Sequence, residues 1–160
     1  MTAKTIIKDL AESGMAVNDI FTRANEKLCE NNESGMFVTA WMGILDLETG
    51  LIRYANAGHN PPLLKHADGS FEYLKTRAGF VLAGMEGVRY KEQQIQLQQG
   101  DEIYLYTDGV TEATDANNEL YGEDPPQLIV DRLNVELGGI LGKYDVVYMS
   151  AQKLVQTHSY

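Results

Sequence analysis

Three glycine-bearing turns constrain this chain more than any other feature. Asp46-Leu47-Glu48-Thr49-Gly50, Asp68-Gly69 and Gln99-Gly100-Asp101 each separate two short segments rich in apolar residues. Each turn offers a glycine for positive φ between two such segments, so the spacing predicts β-hairpins. The expected pairs are Phe37–Leu47 with Leu51–Ala57, Leu63–His66 with Phe71–Leu74, and Tyr90–Leu97 with Glu102–Tyr106. Phe37–Leu47 is apolar in both alternating sets, Phe37/Trp41/Leu45 and Val38/Ala40/Met42/Ile44, which predicts a strand buried on both faces. The middle of the chain is therefore built from antiparallel strands.

Helical patterns stand before and after these strands. Residues 2–12 place Ile6, Ile7 and Leu10 on one face, and Ser13-Gly14 breaks that helix. Residues 16–30 set Val17, Ile20, Phe21, Ala24 and Leu28 at i, i+3, i+4, i+7 and i+11, an amphipathic stripe. Beyond Pro125-Pro126, Gln127–Leu137 has helical spacing, Val146–Met149 reads as a short strand, and Gln152–Tyr160 as a frayed polar tail. Helices on either side of antiparallel strands make the class α+β with layered sheets. The chain enters its first helix almost at once, which raises the expectation of a missing upstream part. With 160 residues it fits one domain.

A formal net charge of −10 disfavours nucleic acid and anionic membranes as partners, because both select basic surfaces. Cys29 is the single cysteine, so no intrachain disulfide can form and a reducing cytoplasm is expected. No apolar run approaches the roughly 20 residues of a membrane span, and the N-terminus lacks a signal-peptide pattern. There is no P-loop, dinucleotide fingerprint or nucleophile elbow.

The chemistry-bearing candidates are few. In Glu102-Ile103-Tyr104-Leu105-Tyr106-Thr107-Asp108-Gly109, a strand delivers Asp108 at its C-terminal end, beside a glycine that leaves room for water. Two readings stand open at Asp108: a ligand for a hard cation, or an ordinary Asp-Gly turn. Glu112 and Asp115 read as acids at a helix N-terminus. Gly58-His59-Asn60-Pro61-Pro62 is a rigid turn; no neighbouring acidic or cysteine cluster makes His59 a zinc ligand. Cys29 lies in a helix with no histidine in the pattern around it, which argues against a catalytic thiol.

Taken together these segments resemble the sporulation stage II protein E family of bacterial serine/threonine phosphatases, a branch of the metal-dependent protein phosphatase 2C superfamily. The matching blocks run in order: Asn25-Glu26-Lys27-Leu28, Phe37-Val38-Thr39-Ala40, Asp46–Gly50, Tyr54-Ala55-Asn56-Ala57-Gly58-His59-Asn60-Pro61-Pro62-Leu63-Leu64, Gly79-Phe80-Val81-Leu82-Ala83-Gly84, and Gly100-Asp101 through Tyr106-Thr107-Asp108-Gly109-Val110-Thr111-Glu112-Ala113. The resemblance covers residues 1–124, leaving 125–160 as a divergent C-terminal segment of the same domain. It implies an α-β-β-α sandwich of two antiparallel sheets flanked by helices, incomplete at the N-terminus. It also implies hydrolysis of phosphoserine or phosphothreonine on a regulatory protein of the anti-sigma-factor-antagonist type, with two Mn²⁺ or Mg²⁺ ions. By the resemblance, Asp108 and Gly109 belong to the metal site, and His59 and Asn60 shape a substrate-proximal loop.

The departures from the family pattern bear on activity. The family's Asp-Val-Ser-Gly-x-Gly block and an earlier aspartate have no counterpart here. The family's paired aspartates on a last strand have only Tyr144-Asp145-Val146-Val147 to match them, so Asp145 is either a metal ligand or a turn aspartate. The expectation is a chain that does not complete a two-ion centre alone, with open sheet edges that favour self-association. The alternatives are a non-catalytic phosphatase-like module that binds a signalling partner, and a structural remnant without activity.

Overall fold

A computed structural model describes residues 2–74, 77–106, 145–150 and 153–158, the last two stretches as backbone alone. The order is α1 (Ala3–Glu12), α2 (Val17–Cys29), β1 (Ala40–Leu45), β2 (Leu51–Ala57), β3 (Leu63–Lys65), β4 (Phe71–Tyr73), β5 (Gln93–Gln96), β6 (Glu102–Tyr106), β7 (Asp145–Ser150) and β8 (Lys153–His158). The α+β class expected from the sequence is the class observed. Its strands form two antiparallel three-stranded groups, β1-β2-β5 and β4-β3-β6, and the second continues through β7 to β8. Within that extension β6 and β7 run parallel and β7 and β8 antiparallel. Among the described residues no helix is long and apolar enough to cross a membrane. The contacts divide the chain into two units, residues 1–59 with 77–96 and residues 60–76 with 97–160.

In the first unit the helical stripe does what its spacing predicts. Val17, Ile20, Phe21 and Ala24 of α2 are fully buried, and they pack with Ala55 and Ala57 of β2, Leu82 and Tyr90. Phe21 meets Tyr90 edge-on at 5.7 Å between ring centroids. Thr2 caps α1, its hydroxyl accepting the Thr5 N–H at 3.4 Å, and Ile7, Leu10 and Ala11 pack against the same core. The β1–β2 hairpin forms across the expected turn. Asp46 Oδ1 accepts the N–H groups of Glu48 and Thr49 at 2.9 and 3.1 Å, which holds its carboxyl below the usual range, and Gly50 takes φ +76°.

β1 is shorter than expected and is not buried on both faces. Pairing with β2 ends at Ala40↔Ala57, because Gly58 at φ +70° turns the chain away. Val38 bridges Leu82 instead, and Phe37 and Leu47 are exposed. β1 lies at the edge of its sheet, so only one side has a strand neighbour. Over its middle, Trp41 stacks on Tyr54 at 5.4 Å.

The second unit corrects two expectations. β5 and β6 do not pair as a hairpin: β5 joins β2 and β6 joins β3, in different sheets. The turn between them is instead fixed by Asp101. Its carboxylate is 3% exposed and accepts the Gln98 N–H at 2.9 Å and the Ala67 N–H at 3.0 Å, tying the turn to the β3–β4 connection. Gly100 at φ +91° permits that turn, and Ala67 lies 3.1 Å from where a Cβ would stand. The C-terminal tail, expected to fray, contains β8, whose backbone pairs with β7 from Asp145↔His158 to Ser150↔Lys153. Alternation there was masked by the polar residues Lys153, Gln156, Thr157 and His158. Gln127–Leu137 lies outside the described residues.

Candidate active site

Asn56, near the end of β2, organises the Gly58–Pro62 turn. Its amide nitrogen donates to the His59 carbonyl at 3.1 Å, and its amide oxygen accepts the His59 N–H at 2.8 Å. Both side chains are buried, Asn56 at 4% exposure and His59 at 9%. The Asn56 carbonyl in turn accepts the Gly79 N–H at 2.7 Å. A side chain at Gly79 would put its Cβ 2.9 Å from that carbonyl oxygen, so this close approach needs glycine. The His59 backbone is thus clamped from the strand before it, by a residue that sequence reading did not single out. An asparagine two positions before Gly-His was the available signal.

Asn60-Pro61-Pro62 leads into β3, and β3 pairs antiparallel with β6 in the register Leu63↔Tyr104, Lys65↔Glu102. The start of β3 therefore lies at the same end of the sheet as the end of β6. Asp108 follows Tyr106, the last residue of β6, by two positions. Asp108 and Gly109 themselves lie outside the described residues. Asp145 opens β7, and the parallel register sets its Cα beside Glu102 rather than Tyr106. Four strand residues, about 13 Å, separate that level from the end of β6. The topology thus gathers Asn60 and the exit toward Asp108 at one sheet end and puts the Asp145 backbone at the other.

Glu102 and Asp101 have protein partners. Glu102 Oε1 is 3.7 Å from Lys65 Nζ, and its other oxygen accepts the hydroxyl of buried Tyr104. Asp101 also lies 3.7 Å from His66 Nδ1. Among the described residues no three His, Cys, Asp or Glu side chains converge as a metal site. Cys29 is not an activated thiol: burial, and then the Glu86 carboxylate, push its pKa up.

Asn25 is a second buried amide that sequence reading left without a role. It is fully buried on α2, accepts the Ala83 N–H at 2.8 Å and donates to the Met85 carbonyl at 2.9 Å. Asn32 donates to the Ala83 carbonyl at 2.9 Å. Ala83 has φ +63°, a left-handed conformation in a non-glycine residue. The Gly79–Gly84 block is thus held to α2 and to the segment after it by two asparagines.

A family model described as stage II sporulation protein E (SpoIIE) matches residues 1–137. The phosphoserine phosphatase RsbU of Bacillus subtilis is 29% identical over 131 residues, 81% of this chain and 39% of that protein. The chain therefore spans about two fifths of that relative's length. Among solved structures, the PP2C phosphatase domain of SpoIIE from Bacillus subtilis, with a fragment of its regulatory domain, has a TM-score of 0.61 at 15% identity, over 88% of this chain and 39% of that one. RsbX in complex with magnesium has a TM-score of 0.56 at 21% identity, over 83% of this chain and 64% of that one. These likenesses show a PP2C-like α+β fold. Separately, a stretch of 39 residues is 49% identical to the PolC-type DNA polymerase III of Staphylococcus haemolyticus, 24% of this chain and 3% of that protein. That share of the polymerase is too small to bring an activity with it.

Proposed function

We propose, from the premise that this chain belongs to the stage II sporulation protein E family, that it carries part of a metal-dependent protein serine/threonine phosphatase. The observation that carries the reading is the family match over residues 1–137, which spans β6 and the Thr107-Asp108-Gly109 exit beyond it. The proposed substrate is a phosphorylated regulatory protein of the anti-sigma-factor-antagonist type, and the proposed compartment is the cytoplasm. The relative named a phosphoserine phosphatase supports the reaction class.

In this reading Asp108 supplies a carboxylate oxygen to Mn²⁺ or Mg²⁺, and Gly109 keeps space beside it. Two such ions, when bound, would acidify water and neutralise phosphoryl oxygens. The chain's own contribution is positional: Asp108 follows the last residue of β6 by two positions, and Asn56 holds the His59 backbone in the turn that leads to β3. We propose no ligand role for His59 or Asn60. Asp145 is kept as a candidate ligand from the family pattern alone, since its strand begins at the opposite sheet end from the Asp108 exit. These 160 residues are proposed not to complete a two-ion centre unaided, because the Asp-Val-Ser-Gly-x-Gly block of the family pattern has no counterpart in them. Self-association is proposed too, supported by the edge position of β1 and the exposure of Met36, Phe37, Phe80 and Met85. A light-scattering mass of one chain would sink that part.

The test is calorimetric titration of the chain with Mn²⁺, with Asp108→Asn as control and a phosphoserine peptide assay alongside. Weak binding that Asp108→Asn removes, with no turnover, is the expected result. Binding unchanged in Asp108→Asn would overturn the assignment of Asp108, and turnover by the chain alone would overturn its incompleteness.

A further inference from the structure

The chain is strongly acidic, yet one recess of the first unit is lined by three cations. Arg77, Arg89 and Lys91 border a cavity of about 410 Å³ whose wall includes Asn56 and Tyr90. Glu92 is the one acid on this lining. The local balance is three cations to one anion, in a protein whose formal net charge is −10. All three cations are exposed. Among the described residues the ion pairs are Lys8–Glu12, Lys65–Glu102 and those of His66, so none of the three is paired with a described carboxylate. Like charges gathered in one recess repel, and an anion seated among them offsets that cost.

The wall around them is already satisfied and therefore stiff. Asn56 spends its amide on the His59 backbone, and the Tyr90 hydroxyl donates to the Val81 carbonyl at 3.1 Å. Gln93 donates to the Arg77 carbonyl at 3.4 Å and accepts the Tyr54 hydroxyl at 3.1 Å. The charged side chains are then the groups of this lining with donors to offer an anion. Two guanidinium forks and one ammonium suit a group with three acceptor oxygens better than a carboxylate with two.

We propose that this recess is a non-catalytic phosphoryl-binding site, able to hold free phosphate or a phosphorylated side chain. The proposal needs neither the metal centre nor Asp108, so its test can fail or succeed independently of the phosphatase reading.

The experiment is a two-dimensional ¹⁵N–¹H titration of the full chain in EDTA with inorganic phosphate, against sodium chloride at matched ionic strength. The amides of Arg77, Arg89, Tyr90 and Lys91 are expected to shift and saturate with phosphate and not with chloride. Arg77→Gln with Arg89→Gln is expected to weaken binding at least about tenfold, the scale of one lost charge-assisted hydrogen bond; the same spectra report whether the variant is folded. A phosphoserine peptide shifting these amides at lower concentration than phosphate assigns the site to a phosphoprotein, and the reverse order assigns it to free phosphate. Shifts reproduced by chloride, or unchanged in the double variant, would overturn the proposal.

Discussion

Asn25 on α2 and Ala83, 58 residues further along the chain, meet through a 2.8 Å hydrogen bond from the Ala83 N–H to the asparagine side-chain oxygen. With the Met85 carbonyl on its other end, this one amide fastens the Gly79–Gly84 block to a helix. Asn25→Ala leaves both backbone groups without their partner, and a loss of about 1–3 kcal/mol is expected. Asn25→Asp keeps an acceptor for Ala83 but sets a fully buried carboxylate against the Met85 carbonyl oxygen, so it should cost at least as much in urea denaturation at neutral pH. Equal midpoints for wild type and Asn25→Ala would show that water replaces the amide fully.

Ala83 itself sits at φ +63°. A Cβ in the left-handed region costs about 1–2 kcal/mol, partly offset by the chain entropy that glycine loses on folding. Ala83→Gly is therefore expected to raise the thermal midpoint slightly, and Ala83→Val to lower it clearly, because β-branching worsens the strain. A lowered midpoint for the glycine variant would contradict the assigned backbone conformation.

Gly79→Ala tests the clamp on the His59 turn. The new Cβ would stand 2.9 Å from the Asn56 backbone oxygen, and backbone cannot yield as a side-chain end can. A loss of about 1–3 kcal/mol is expected. Amide exchange at His59 should quicken in step, because the same asparagine holds both residues. Slow exchange at His59 in a destabilised variant would uncouple the two contacts.

Tyr90 is expected to contribute to a loss of stability at alkaline pH. Burial, with the nearby Cys29 adding to it, pushes its pKa from the ordinary 10.0 up to about 12. The folded state then holds the proton more tightly than the unfolded chain. The resulting stability is whole below pH 10 and is lost as pH rises toward 12, by roughly 2–3 kcal/mol in all. Tyr90→Phe should flatten that slope between pH 10 and 12, leaving the part due to the raised Cys29 and Tyr73, while losing the hydrogen bond to Val81 at every pH. A variant whose stability falls as steeply as wild type over that window would assign the alkaline loss to other groups.

What the sequence decided is what depends on near neighbours. The stripe Val17, Ile20, Phe21, Ala24 is a helical period, so α2 and its buried face were legible. The β1–β2 and β3–β4 hairpins were legible because turn residues such as Asp46 and Gly50 dictate their closure within a few positions. The Asn60-Pro61-Pro62 turn and the exit toward Asp108 were legible as motifs, each by its own residue types.

Tertiary structure decided which distant strands became neighbours. Glycine at position 100 was read as a hairpin turn, yet β5 leaves for β2 and β6 for β3, because Asp101 spends its carboxylate on Gln98 and Ala67 rather than on closing a two-stranded ribbon. The burial of Asn25 and Asn56 was equally invisible, since an amide's value lies in backbone groups 58 residues away or folded back beneath it. The common sheet end of the start of β3 and the end of β6, and the opposite end taken by the Asp145 backbone, follow from strand register alone. Register is a long-range choice that local pattern does not encode, because a strand's alternation fits many partners and only packing selects among them.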